Sequence, residues 1–161
     1  MADPHAHHYP FDQVRAIVDA RGWHDIHEDP PAPIRATTIY TVGFALMGRP
    51  EIICIGLPHP IVTTFVAQIY HRLGHHREYT VGPVYTDLAN LPMVFGRVSD
   101  RWKEKLCTVT SAYYAAYHGA LAFECIQLIW SDDKGRLPAD PHYNPMMRRS
   151  QTLLDETARS A

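Results

Sequence analysis

Basic residues do not outnumber acidic ones in this chain. Lys and Arg total 15 against 17 Asp and Glu, a formal net charge of −2. Nucleic-acid binders draw most of their affinity from a cationic surface, so the balance argues against that class and leaves room only for a local basic patch. Long apolar runs are also missing. The longest, around Ile52–Leu57 and Leu121–Trp130, fall far short of the roughly 20 residues that span a bilayer. The opening Met1-Ala2-Asp3-Pro4-His5 is polar and carries no hydrophobic signal region, so no membrane association and a cytoplasmic location are expected. Cysteine is scarce and odd in number: Cys54, Cys107 and Cys125, with no CxxC pair. Each sits in an apolar run, which reads as buried, reduced thiols rather than a disulfide framework. Phosphate-binding glycine loops, a GxSxG elbow, an HExxH helix and internal repeats are all absent.

What remains is a chain of 161 residues, enough for one domain with its own core. Histidine is its unusual residue. Charging all 11 would move the formal charge from −2 to +9, so the surface field changes steeply between roughly pH 5 and 7. Residues 1–9 read as a flexible leader and 10–158 as a single α+β domain. Phe11, Val14, Ile17 and Val18 share one helical face, closed by Gly22. Strands are predicted over 23–28, 37–44, 51–56, 93–98 and 124–130, where β-branched and aromatic residues cluster. Helices are predicted near 61–73, near 100–118 and, as a short terminal element, within 146–158. The expected fold is therefore a sheet of about five strands, mostly antiparallel or mixed, packed with about three helices.

Four segments then resemble one another's setting in a known family. They are Gly22-Trp23-His24; Tyr40-Thr41-Val42-Gly43-Phe44; Pro50-Glu51-Ile52-Ile53 with Gly56-Leu57-Pro58; and Gln127 to Pro138, before Gln151-Thr152-Leu153-Leu154. In this order they resemble the bacterial domain-of-unknown-function family 4262, from about residue 15 to 155. The resemblance implies a bacterial protein and supplies no reaction. Arg49 stands where the family pattern often has His, and Ala139 where it often has Trp, which implies a different ligand if either position contacts one.

Candidate site residues come from three groups. Glu51 opens an apolar strand: it is either a strand-end residue paired with Arg35 or Arg49, or a general base in a pocket. Tyr40 and Thr41 lie on the neighbouring strand, with Tyr40 as a proton donor and His24 as a further acid/base candidate. Thr41, Tyr114, Gln127 and Trp130 are the expected substrate-binding residues, since buried phenol, amide and indole groups need partners. Finally, His71 and His75 share a helix face at i, i+4, with His76 adjoining, as either a solvated cluster or ligands for a transition metal such as zinc or iron. The cofactor stays unknown, and haem is the other prosthetic group that histidines would hold.

The function read from these residues is binding of a small molecule or modified peptide, with acid/base chemistry near the central strands in bacterial specialised metabolism. A histidine-ligated metal or haem protein, and a non-catalytic interaction module, are the alternatives. A homodimer is expected from the frequency of two-fold oligomers. The thiol reading has a direct check. Titration after unfolding without reductant should find three thiols per chain, and finding one would refute it.

Overall fold

The computed structural model describes residues 10–155. In chain order its elements are α1 (Phe11–Arg21), β1 (His24–Glu28), β2 (Thr38–Val42), a 3₁₀ turn (Phe44–Met47), β3 (Glu51–Ile55), α2 (His59–Leu73), β4 (Val84–Tyr85), β5 (Met93–Arg97), α3 (Asp100–Leu106), α4 (Thr108–Tyr117), β6 (Cys125–Trp130) and α5 (Pro145–Ser150). The strands form one mixed sheet in the order β1-β2-β3-β6-β5-β4. Only β3 and β6 run parallel; the other neighbours are antiparallel. The fold is α+β, as expected. The sixth strand is the two-residue β4, too short to carry an alternating pattern.

Strand alternation sends side chains to two cores, one on each face of the sheet. Ile26, Tyr40, Val42, Ile53 and Ile55 meet α1, α3 and α4. Ile39, Ile52, Cys54, Ile126, Leu128 and Trp130 meet Val62, Val66 and Ile69 of α2. Those three α2 residues step by four and three, the spacing of one helical face. β2 and β3 are buried along their whole length, because both faces are covered.

Two predicted elements end early for local reasons. The strand expected over 37–44 stops at Val42, because Gly43 takes a left-handed φ of 117° and turns the chain into the 3₁₀ element. The helix expected over 100–118 breaks at Cys107, whose ψ of 45° leaves helical geometry. No proline or glycine causes this. Cys107 is buried, with its sulfur 3.9 Å from that of Cys125 on β6. The terminal helix runs over Pro145–Ser150 and then gives way to an extended tail. The leader 1–9 and residues 156–158 of the expected domain lie outside the described residues. All three cysteines are free and buried. Burial pushes the Cys54 thiol up to about 12. The adjacent Cys107 thiol, and then burial, raise that of Cys125.

The tail is held by two buried glutamines. Gln127 donates to the Thr152 carbonyl at 2.7 Å and accepts from the Leu154 amide at 2.9 Å. Gln151 accepts from the Trp130 amide and donates to the Trp130 carbonyl, each at 2.9 Å. The tail thus closes over the sheet through side-chain amides acting as strand-like partners.

Gly43 is required by contact as well as by conformation. A Cβ there would stand 2.3 Å from the Gly22 carbonyl oxygen and 2.8 Å from the Trp23 Cα. Gly43→Ala should therefore lower stability by about 2–3 kcal/mol, from backbone strain and overpacking together. A shifted urea midpoint checks this; an unshifted one would show that the corner yields freely.

Candidate functional site

The Glu51 side chain is fully buried, and among the described residues no lysine or arginine bonds to it. Five donors converge on it instead. Oε2 accepts from the Thr41 hydroxyl at 2.6 Å and the Phe44 amide at 3.3 Å. Oε1 accepts from the Ala45 amide at 3.0 Å, the Gly43 amide at 3.2 Å and the Tyr114 hydroxyl. Local geometry explains each donor. Gly43 opens the 3₁₀ turn, so its amide and the next two point out of the turn unpaired, as at any helix start. Thr41 stands where the β2–β3 ladder ends; its oxygen also accepts the Ile52 amide at 2.9 Å, in place of a backbone carbonyl. Tyr114 reaches across from α4 and accepts the Gly43 amide at 2.8 Å.

Burial drives the Glu51 pKa up, and the Thr41 and Tyr114 hydroxyls and the backbone amides offset part of that rise. Burial and the adjacent carboxylate likewise raise Tyr114. Backbone amides can only donate, so the ionised carboxylate satisfies all five donors, whereas the proton of the neutral form must be accepted by the Thr41 or Tyr114 oxygen. As a general base, Glu51 would have to give up donors already in place.

A cleft of about 270 Å³ begins on the far side of the same turn. Phe44, Ile52, Ile69, Leu73, Tyr79 and Ile126 give it an apolar floor, while Arg49, Glu78 and Glu124 stand among its polar groups. Arg49 pairs with Glu78 across it.

Another polar cluster stands where β1, the sheet edge, meets the start of α2. Asp25 is 8% exposed. Its Oδ2 meets His59 Nε2 and accepts from the Thr63 hydroxyl at 2.6 Å; Oδ1 accepts from Arg21 at 3.0 Å. His24 Nδ1 lies 3.6 Å from Oδ1. Burial pushes the Asp25 carboxyl up, but the Thr63 and His59 hydrogen bonds outweigh it and hold the pKa below its ordinary value. Burial lowers His24, partly countered by Asp25.

The structure brings Thr41, Tyr114 and Glu51 into direct contact. It places the other predicted residues elsewhere. The Tyr40 hydroxyl donates to Glu28 at 2.7 Å and accepts from the Val109 amide, so it is not a donor to Glu51; burial and Glu28 raise its pKa. Gln127 is engaged with the tail, and the Trp130 indole donates to the Ile55 carbonyl at 2.8 Å. Arg49 holds Glu78 rather than Glu51. His24 lies beside Asp25. The rings of His71 and His75 do meet, 4.7 Å apart and edge to face. Only His71 is in the helix, however: α2 ends at Leu73, His75 follows in a turn, and His76 takes a left-handed φ of 64°. Among the described residues no group of three or more His, Cys, Asp and Glu side chains is arranged to hold a metal ion. Asp25, His59 and the cleft were missed by sequence reasoning. The available signal was a carboxylate inside a strand and a histidine between prolines at a helix start.

Residues 17–144 match the family model described as Domain of unknown function (DUF4262). The chain belongs to that family. No curated protein and no solved structure matches it. The DUF4262 match includes Asp25, Glu51, His59 and Tyr114, and stops short of Gln151. No helix among the described residues is long and apolar enough to cross a membrane.

Glu51→Gln puts an amide NH₂ among donors, leaving buried groups unsatisfied, and should cost about 2–3 kcal/mol at neutral pH. The pH dependence has a definite sign. Between the ordinary glutamate pKa and the raised one, the folded chain holds a proton that the unfolded chain releases. This group's contribution is therefore fully present below the unfolded pKa and is lost as pH rises through the folded one. Urea unfolding followed upward in pH from the ordinary glutamate range should show a falling component in the native protein that is missing in Glu51→Gln. Identical slopes would contradict the raised pKa.

Proposed function

We propose that this DUF4262 protein binds a small organic molecule or modified peptide in the cleft between β3, β6, the end of α2 and residues 78–81. The observation that carries this reading is the cleft itself: an apolar floor, charged groups at its edge, and a wall held in place by the Glu51 cradle. A pocket of mostly apolar lining with few polar groups is the usual form of a small-molecule site. Its floor suits an aromatic or branched aliphatic group, and an anionic group beside it takes the Arg49 guanidinium by displacing the exposed Glu78 from their ion pair. In this reading Glu51, Thr41 and Tyr114 are positioning residues that shape Phe44 and Pro50 and do not touch the ligand. The same reading puts the protein in the bacterial cytoplasm, as a homodimer serving specialised metabolism.

The probe 8-anilinonaphthalene-1-sulfonate combines apolar rings with one anionic group, and so tests the cleft without knowledge of the natural ligand. Saturable binding to the folded protein is expected, weakened about tenfold by Arg49→Ala, on the order of one charge-assisted hydrogen bond. Thr80→Trp, which narrows the cleft, should weaken it further. Absence of saturable binding, or native affinity in both variants, would overturn the proposal.

A further inference from the structure

The Asp25 cluster lies outside the cleft and uses none of its residues. Three elements supply it: Arg21 from the end of α1, His24 and Asp25 from β1, and His59 and Thr63 from the first two turns of α2. Its carboxylate is nearly buried, whereas the His59 side chain is 41% exposed. A carboxylate only accepts, so His59 Nε2 carries the hydrogen that points at Asp25. The neutral ring then keeps its lone pair on Nδ1. The ring is held from two sides, by Asp25 and by the His27 ring at 5.2 Å. An imidazole oriented by a buried carboxylate, its other nitrogen without a hydrogen-bond partner among the described residues, is the arrangement that general-base catalysis uses.

The surrounding charges narrow the substrate. Arg21 is the one residue in the cluster that carries a permanent positive charge, and it is neutralised by Asp25 and also donates to the Trp23 carbonyl at 2.7 Å. No uncompensated cation is left to meet a phosphate. The three cysteines are buried in the cores, and the Thr63 hydroxyl is spent on Asp25, so no side-chain nucleophile accompanies the base. Water is the nucleophile that remains.

We infer that His59, positioned by Asp25, is an acid–base site for the hydrolysis of uncharged acyl esters. In the step proposed, Nδ1 takes a proton from water as the water oxygen bonds to the ester carbonyl carbon. The carbonyl's bond to the leaving oxygen then breaks, and the imidazolium returns its proton to that oxygen. Ester and water become acid and alcohol, with no redox partner. Nδ1 is the catalytic atom; Asp25 is a positioning residue that holds the ring and stabilises its charged form.

The test uses p-nitrophenyl acetate and the full chain. Release of p-nitrophenolate above the buffer rate is expected. His59→Gln keeps an N–H donor for Asp25 and should stay folded, yet lose at least tenfold of the protein-dependent rate, the lower part of what one general base contributes. Asp25→Asn should lower kcat with KM held, which a purely structural role would not do selectively. His142→Gln, at an exposed histidine that is not among the residues of the cluster, should leave the rate unchanged. Native activity in folded His59→Gln, or no rate above buffer in the native protein, would overturn the proposal.

Discussion

The middle of this fold depends on a buried carboxylate with hydrogen-bond donors in place of a countercharge. Glu51 sits at the start of β3, and its two oxygens gather Thr41 from β2, the amides of Gly43, Phe44 and Ala45, and Tyr114 from α4. A buried ion without a partner costs several kcal/mol, and five donors are what offset it here. The exchange is mutual. The Phe44 and Ala45 amides at the inner end of the 3₁₀ turn would otherwise be orphaned, and the carboxylate satisfies them while sharing the Gly43 amide with Tyr114.

Several features of the chain follow from that knot. Gly43 has to turn where it does, against the Gly22 carbonyl, or its amide could not face the carboxylate. Thr41 has to leave the ladder, and its side chain replaces a backbone acceptor for Ile52. α4 is tied to the sheet by Tyr114 and by Thr110, which donates to the Thr41 carbonyl at 2.8 Å. The turn so fixed places Phe44 in the cleft wall on the α2 face, while Tyr114 closes the other face. A charge used for architecture on one face thereby shapes a binding surface on the other.

The elements with strong periodicity were legible in the sequence. β3 and β6 are nearly continuous apolar runs, and α1 and α2 carry clean stripes, so their type and place follow from patterning. β4 was not legible, because two residues carry no pattern, and neither was the break at Cys107, which is set by packing and not by a helix-breaking residue. Glu51, Thr41 and Tyr114 were individually visible as polar residues in apolar surroundings. What the residues cannot show is who partners whom across 63 positions of chain, and so Tyr40 was matched with Glu51 when its hydroxyl belongs to Glu28. Gln127 and Trp130 look like ligand contacts for the same reason: their partners are backbone groups, of the tail and of β3, which no side-chain pattern announces. Asp25 and His59 meet only because β1 lies at the sheet edge beside the start of α2.

The central claim is that the Glu51 carboxylate binds the amides of Gly43, Phe44 and Ala45. Amide hydrogen exchange on the native protein tests it without altering the chain. All three lie in a connection between strands, where amides ordinarily exchange quickly. The cradle predicts protection comparable to that of the β3 amides. Exchange of all three at the rate of an open loop would contradict it.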